Sequence, residues 1–153
     1  MRFVWAVVAF ILATVLIGAG IAQRTMFLGP SEQRMQVTVE DPQPYLLIDG
    51  AVLRANSGLQ TLMIRGKGDI FAAYGRTSDL KAWLADAAYD DVSLSKKGKP
   101  QVKVVEASVP SDSETARNPD GSDLWLDSFR DKDSLITEMQ LPEGMSMLVA
   151  RDG

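Results

Sequence analysis

Leu59-Gln60-Thr61-Leu62-Met63-Ile64-Arg65-Gly66-Lys67-Gly68-Asp69-Ile70-Phe71-Ala72-Ala73-Tyr74 is the stretch on which the fold turns. Leu62 and Ile64 fall on one face of an extended segment, as a half-buried strand requires. Gly66-Lys67-Gly68 supplies glycine where a tight turn needs positive φ. The spacing therefore predicts two strands, Leu59 to Arg65 and Asp69 to Tyr74, folded into a hairpin.

Working outward, short runs rich in Val, Ile, Leu and Tyr recur between turn residues, the pattern of an all-β domain. Further candidate strands are Met35 to Val39, Tyr45 to Asp49, Asp91 to Ser95, Gln101 to Ala107, Leu124 to Phe129, Ser134 to Gln140 and Met145 to Arg151. Lys97-Gly98-Lys99-Pro100 predicts a second hairpin, with Val102 and Val104 sharing one strand face, and Asp131-Lys132-Asp133 predicts a further turn. Leu80, Trp83, Leu84, Ala87 and Ala88 follow a helical period, so one surface helix is expected over 78–88, capped by Thr77 or Ser78. Trp83 is the expected plug on its inner face. The expected class is mainly β: an antiparallel sandwich or barrel-like domain with one short helix. Ser108 to Ser122 offers almost nothing to bury and reads as a mobile loop.

Phe3 to Ala22 carries no charge and a single hydroxyl, Thr14. As a helix its 20 residues span roughly 30 Å, the thickness of a bilayer core. Residues 1–28 therefore read as a transmembrane signal anchor, 29–34 as a linker and 35–153 as an exported β-rich domain. Arg2 and Gly20-Ile21-Ala22 would also serve a signal peptide cleaved before Gln23, but the apolar stretch is long for one. Arg2 stands against Arg24 and Arg34 across the helix, so the charge rule is nearly balanced. The one-residue polar head favours a single-pass protein of the cell membrane with residues 24–153 extracytoplasmic. Ala6, Ala13 and Gly20 recur every seven residues, a small-residue seam through which a homodimer would pack.

Beyond residue 30 the chain holds 14 basic and 20 acidic residues, a net charge of minus 6. A nucleic-acid partner is not expected, because its usual footprint is a basic stripe. The charge is uneven. Arg54 to Lys103 carries plus 4 and Glu106 to Glu143 minus 7. Lys96, Lys97, Lys99 and Lys103 cluster at the second hairpin, either to touch an anionic lipid or wall polymer or to discourage edge pairing of the sheet.

The chain contains neither histidine nor cysteine. That removes Ser-His-Asp and Cys-His nucleophilic sites and imidazole or thiolate zinc sites. Ser78-Asp79-Leu80-Lys81 and Ser93-Leu94-Ser95-Lys96 match Ser-x-x-Lys but lack the companion elements of penicillin-binding enzymes. Asn118-Pro119-Asp120-Gly121-Ser122-Asp123 places oxygens around a glycine, yet the twelfth position of a calcium loop would be Phe129, and Asx turns account for the run. Asp86, Asp90 and Asp91 are read as solubilising the helix end. No catalytic, cofactor-binding or metal residue is singled out, and no cofactor is expected.

The opening from Met1-Arg2-Phe3 through Gly18-Ala19-Gly20-Ile21-Ala22-Gln23-Arg24-Thr25-Met26-Phe27-Leu28-Gly29-Pro30, with Ile70-Phe71-Ala72-Ala73-Tyr74-Gly75-Arg76-Thr77, resembles a group of uncharacterised actinobacterial membrane proteins. The resemblance covers about a third of the chain and implies an N-terminal membrane helix, an exported domain and an envelope location. That group carries a second apolar run, which this sequence lacks before Gly153, so a shorter relative or a truncated reading frame is expected. The leading expectation is a non-enzymatic binding domain for a protein or cell-wall partner. The alternatives are a small carboxylate-based wall-active enzyme and a spacer within a multi-pass protein.

Overall fold

The computed structural model describes residues 2–23, 34–108 and 117–151. The chain divides into two compact units, Met1–Arg34 and Met35–Gly153. The expected linker lies outside the described residues except for Arg34. In the first unit, α1 (Arg2–Ala22) contains a 20-residue apolar stretch, Phe3–Ala22, of mean hydropathy 2.5, with none of its most apolar window buried against protein. It is long and apolar enough to cross a bilayer. Its one hydroxyl is satisfied internally, Thr14 Oγ1 donating to the Phe10 carbonyl at 2.9 Å, as apolar surroundings require.

The second unit is mainly β. Its strands are β1 (Tyr45–Ile48), β2 (Gln60–Arg76), β3 (Tyr89–Leu94), β4 (Pro100–Val105), β5 (Asp127–Met139) and β6 (Met145–Arg151), with α2 (Gly50–Leu53) after β1 and α3 (Thr77–Trp83) after β2. They form one mixed sheet in the order β4-β3-β1-β6-β2-β5. Only the β1–β3 pair is parallel; the other four pairings are antiparallel.

The hairpin expected at Gly66-Lys67-Gly68 does not form. Its two strands are one 17-residue strand, β2, and the candidates on either side of Asp131-Lys132-Asp133 likewise merge into β5. The two apparent turns face each other. Pairing runs from Gln60↔Met139 to Arg65↔Ser134 and resumes at Asp69↔Lys132, so Gly66, Lys67 and Gly68 stand opposite Asp133 alone. This is an enlarged β-bulge. Gly68 adopts φ 88° and Asp133 φ 63°, and the Gly68 N–H donates to Asp133 Oδ1 at 2.9 Å. Glycine and aspartate are residues that tolerate such backbone angles.

Beyond the bulge, residues 60–65 pair only with β5, while residues 70–76 also pair with β6. The overhanging ribbon nevertheless buries its inner face. Leu135 and Met139 are buried and Leu62 and Ile64 half-buried in one cluster with Ile48, Val92, Met147 and Val149. The ribbon thus turns back at the bulge over the sheet, giving the domain its barrel-like side. The opposite face packs Tyr45, Leu47, Phe71, Ala73, Leu148 and Ala150 against Leu80 and Leu84. β6 and the inner half of β2 are apolar on both faces because both faces are covered.

Several local expectations change. Met35 to Val39 joins no sheet, with Met35 and Val37 exposed and Val39 half-buried. α3 ends at Trp83, five residues early. Asp86 follows within one turn, where the negative end of a helix disfavours an acid, and Ala87 N–H turns back to the Leu84 carbonyl at 3.0 Å. Arg76 is the N-cap residue, without a side-chain capping bond. Thr77 Oγ1 instead donates to the Gly144 carbonyl at 3.0 Å and lies 2.8 Å from buried Ser146 Oγ. A second helix is present: α2, capped by Asp49 Oδ1 accepting from Ala51 N–H at 2.7 Å. Its first residue must be glycine, since a Cβ there would lie 1.9 Å from the Met145 carbonyl oxygen.

The plugs under α3 are Leu80 and Leu84, both fully buried, and Trp83 is only half-buried. Leu80→Ala is therefore expected to destabilise the domain by about 2 to 5 kcal/mol, the cost of truncating a fully buried leucine. An unchanged denaturant midpoint would contradict the packing of α3 on the sheet.

Candidate functional site

The second half of the expected loop is ordered. Residues 117–126 form a strap across the α3 face; residues 109–116 lie outside the described residues. Leu126 N–H donates to the Tyr74 carbonyl at 2.9 Å. Asp120 N–H donates to Asn118 Oδ1 at 2.8 Å, an Asx turn, and Pro119 is fully buried. Asp120 is ion-paired with Arg130 on β5, whose guanidinium covers the ring of buried Phe71 at 5.5 Å. Asp120 thereby serves a cation of the chain, and the glycine-centred run works as a turn. Gly75 lets the strap approach, since a Cβ there would meet the Leu124 carbonyl oxygen at 2.8 Å.

Where the strap crosses α3, three aromatic rings converge. Trp83 meets Tyr45 edge-on at 5.2 Å between centroids and Trp125 at 5.6 Å. Arg117 lies over the Trp83 ring at 5.2 Å. Its guanidinium donates to the Trp83 carbonyl at 2.8 Å and to Asp86 Oδ2 at 2.6 Å. Tyr45 OH donates to the Arg117 carbonyl at 2.5 Å, and Trp125 Nε1–H to the Pro119 carbonyl at 2.7 Å. Burial pushes the Tyr45 hydroxyl above its ordinary pKa, with the Arg117 charge opposing, so it keeps the proton it donates. Edge-on ring pairs and a cation over a ring each add about 0.5 to 1.5 kcal/mol to the area they bury. Beside the rings, Leu124 and Leu126 stay exposed at 37% and 61%. Trp, Tyr and Arg are side-chain types enriched at the centres of protein interfaces.

Periodicity identified Trp83 only as packing, and it missed the cluster because Tyr45 on β1, Trp83 on α3 and Arg117 and Trp125 on the strap lie far apart in sequence. The other sequence candidates stay apart. Ser78 Oγ donates to Asp79 Oδ1 at 3.0 Å, while the Lys81 charge acts on Asp91. Ser93 lies on β3 and Lys96 in the exposed turn after it. A depression of about 280 Å³ is lined by Asp69, Ile70, Phe71, Arg130 and Asp131. Both carboxylates are exposed there and Asp131 Oδ1 accepts from Lys132 N–H at 2.8 Å, whereas a general acid needs a carboxyl shielded from water. Among the described residues no group of three acidic side chains converges as a metal site.

No protein-family model matches the chain, and neither the curated proteins nor the solved structures contain a match.

Asp90 and Asp91 are not helix-end solubilisers, because β3 begins at Tyr89 and its alternation turns them inward by turns. Asp90 is 1% exposed; Oδ2 accepts from Gln43 N–H at 2.9 Å and Oδ1 has no hydrogen-bond partner among the described residues. It pins the segment leading into β1. Asp91 has its pKa raised, first by burial and then by Asp49, against the pull of Lys81 and Lys103. A carboxyl whose folded pKa exceeds its unfolded value costs stability when ionised, and the cost fades as pH falls through the folded pKa. Asp91→Asn is therefore expected to be more stable than the parent at neutral pH. The gain should shrink as pH falls toward the ordinary value of 3.8. A variant less stable at neutral pH in denaturant titration would contradict this.

Proposed function

We propose that the protein is a single-pass membrane protein of the cell envelope. α1 is retained as a signal anchor, and the β domain is displayed outside the cytoplasm as a non-enzymatic binding module. The observation that carries the anchor is an apolar helix, Phe3–Ala22, long and apolar enough to cross a bilayer. Such a surface is stable only in lipid or against another apolar surface. The resemblance of the opening segment to actinobacterial membrane proteins supports the envelope location. The strap supports binding, because it spends an Arg–Asp pair and three aromatic rings on holding a loop in place and leaves Leu124 and Leu126 in water. A protein or wall component is the expected partner.

In intact, wall-stripped cells, added protease should digest the domain while a cytoplasmic control survives. Complete protection until lysis would reverse the topology. Release of a soluble product beginning at Gln23 would make the protein secreted instead of anchored.

A photo-cross-linking residue substituted at exposed Leu126 is expected to capture an envelope component in living cells more efficiently than one at exposed Glu138. Equal yields at the two positions would remove the strap from the binding account.

A further inference from the structure

The unequal charge of the two halves of the sequence becomes a charge separation in space. The basic half ends in β3, the turn after it and β4; the acidic half contains β5; and β4 and β5 are the opposite edges of the sheet. Lys96, Lys97 and Lys99 occupy the turn, where Gly98 takes φ 71° and Ser95 N–H donates to the Lys99 carbonyl at 2.8 Å. Lys103 lies on β4 opposite Asp91. All four lysines are exposed, and none of their ammonium groups forms an ion pair or hydrogen bond among the described residues. The charges of Lys81, exposed on α3, and of Lys103 both act on Asp91, which also feels Asp49. At the far edge β5 carries Asp127, Asp131, Asp133 and Glu138 against Arg130 and Lys132, and Arg130 is already committed to Asp120.

We propose that the lysine edge, Lys96, Lys97, Lys99 and Lys103 with Lys81, rests on the anionic lipid headgroups of the bilayer that holds α1, with the acidic edge turned away. The inference rests on the anchor described above. Net charge does not oppose it. Along the sheet, five strand spacings, about 24 Å, separate β4 from the half of β5 before the bulge, Asp127–Lys132, about three times the screening length of about 8 Å at physiological salt. The half after the bulge, which turns back over the sheet, carries one acid, Glu138, so a surface touching β4 responds mainly to the lysines. Each basic side chain near an anionic surface adds attraction, and five of them within one patch act together.

The tether favours lipid over a diffusing polymer. Twelve residues separate Ala22 from Met35, a reach of about 40 Å when extended. A domain of this length has a radius of gyration of about 13 Å, so any of its faces can come to the bilayer. Tethering raises the local concentration of headgroups far above what a free domain would meet. An attraction too weak to recruit the domain from solution is then enough to orient it.

The test uses the full chain reconstituted into vesicles of phosphatidylcholine alone or mixed with phosphatidylglycerol. Lysines are acylated with an impermeant reagent and read by mass spectrometry. Labelling of Lys96, Lys97, Lys99 and Lys103 should fall about threefold or more in the anionic vesicles and recover at about 1 M salt, where screening is complete. Lys67 and Lys132, exposed at the bulge, should not change. Combined Lys96→Gln, Lys97→Gln and Lys99→Gln substitutions should abolish the protection of Lys103. Equal labelling in the two vesicles would overturn the proposal while leaving the anchor standing. Protection by soluble polyphosphate but not by the anionic vesicles would overturn it in favour of a polymer. Loss of the chain from phosphatidylcholine vesicles in an alkaline wash would overturn the anchor itself, and the proposal with it.

Discussion

The domain depends on three residues standing opposite one. At Gly66, Lys67 and Gly68 against Asp133 the β2–β5 ribbon gains extra length on one strand, and the Gly68 N–H to Asp133 carboxylate bond fixes the bend. A straight strand of 17 residues would run about 56 Å, well beyond the sheet that supports it. Turned back at the bulge, the overhang lays Leu62, Ile64, Leu135 and Met139 on Ile48, Val92 and Met147. Full burial, as at Leu135 and Met139, contributes about 1.5 to 3 kcal/mol each relative to exposure, and the half-buried Leu62 and Ile64 contribute less. The bulge thus lets a single six-stranded sheet close a core that would otherwise need a second sheet.

With one face closed by the ribbon, the other is closed by α3 and the strap, and function is left to what stays outside. The strap keeps two half-buried indoles and two exposed leucines at a rim held by Arg117 and Asp86. The edges of the sheet carry opposite charge, Lys103 on β4 with Lys96, Lys97 and Lys99 in the turn before it, and four acids against two bases on β5. Lysines on an edge strand also block pairing with a neighbouring sheet. Both roles ask for the same residues in the same place, so the sheet edge is at once protected and available to an anionic surface. Neither role requires histidine, cysteine or a metal, in keeping with a chain built without the first two.

Much of this fold is legible in the sequence, in proportion to how local each signal is. The Lys97-Gly98-Lys99-Pro100 hairpin, β1 and β6 are each set by alternation and a turn within a few residues, and they form nearly as expected. The mainly β class follows from the same pattern. Gly66-Lys67-Gly68 misleads because a positive-φ glycine serves a hairpin turn and a bulge alike. Only Asp133, 65 residues away, decides between them. Trp83 misleads for a similar reason: its spacing places it on the inner stripe, but the short α3 leaves it at the edge, where Tyr45, Trp125 and Arg117 gather. Asp90 is invisible as a buried group because nothing local shows that a strand begins at Tyr89. The aromatic cluster and the charge separation across the sheet are consequences of strand order, which no local pattern specifies.

The most direct test of this account is the partner of Met63 in solution, read from inter-strand nuclear Overhauser effects on the isotopically labelled full chain. A ribbon bent at the bulge predicts backbone contacts between Met63 and Ile136 and between Leu62 and Thr137, the pairs that the β2–β5 register aligns. Contacts between Met63 and Phe71 across a turn at Gly66-Lys67-Gly68 would restore the hairpin and contradict both the closed core and the strand order that separates the charged edges.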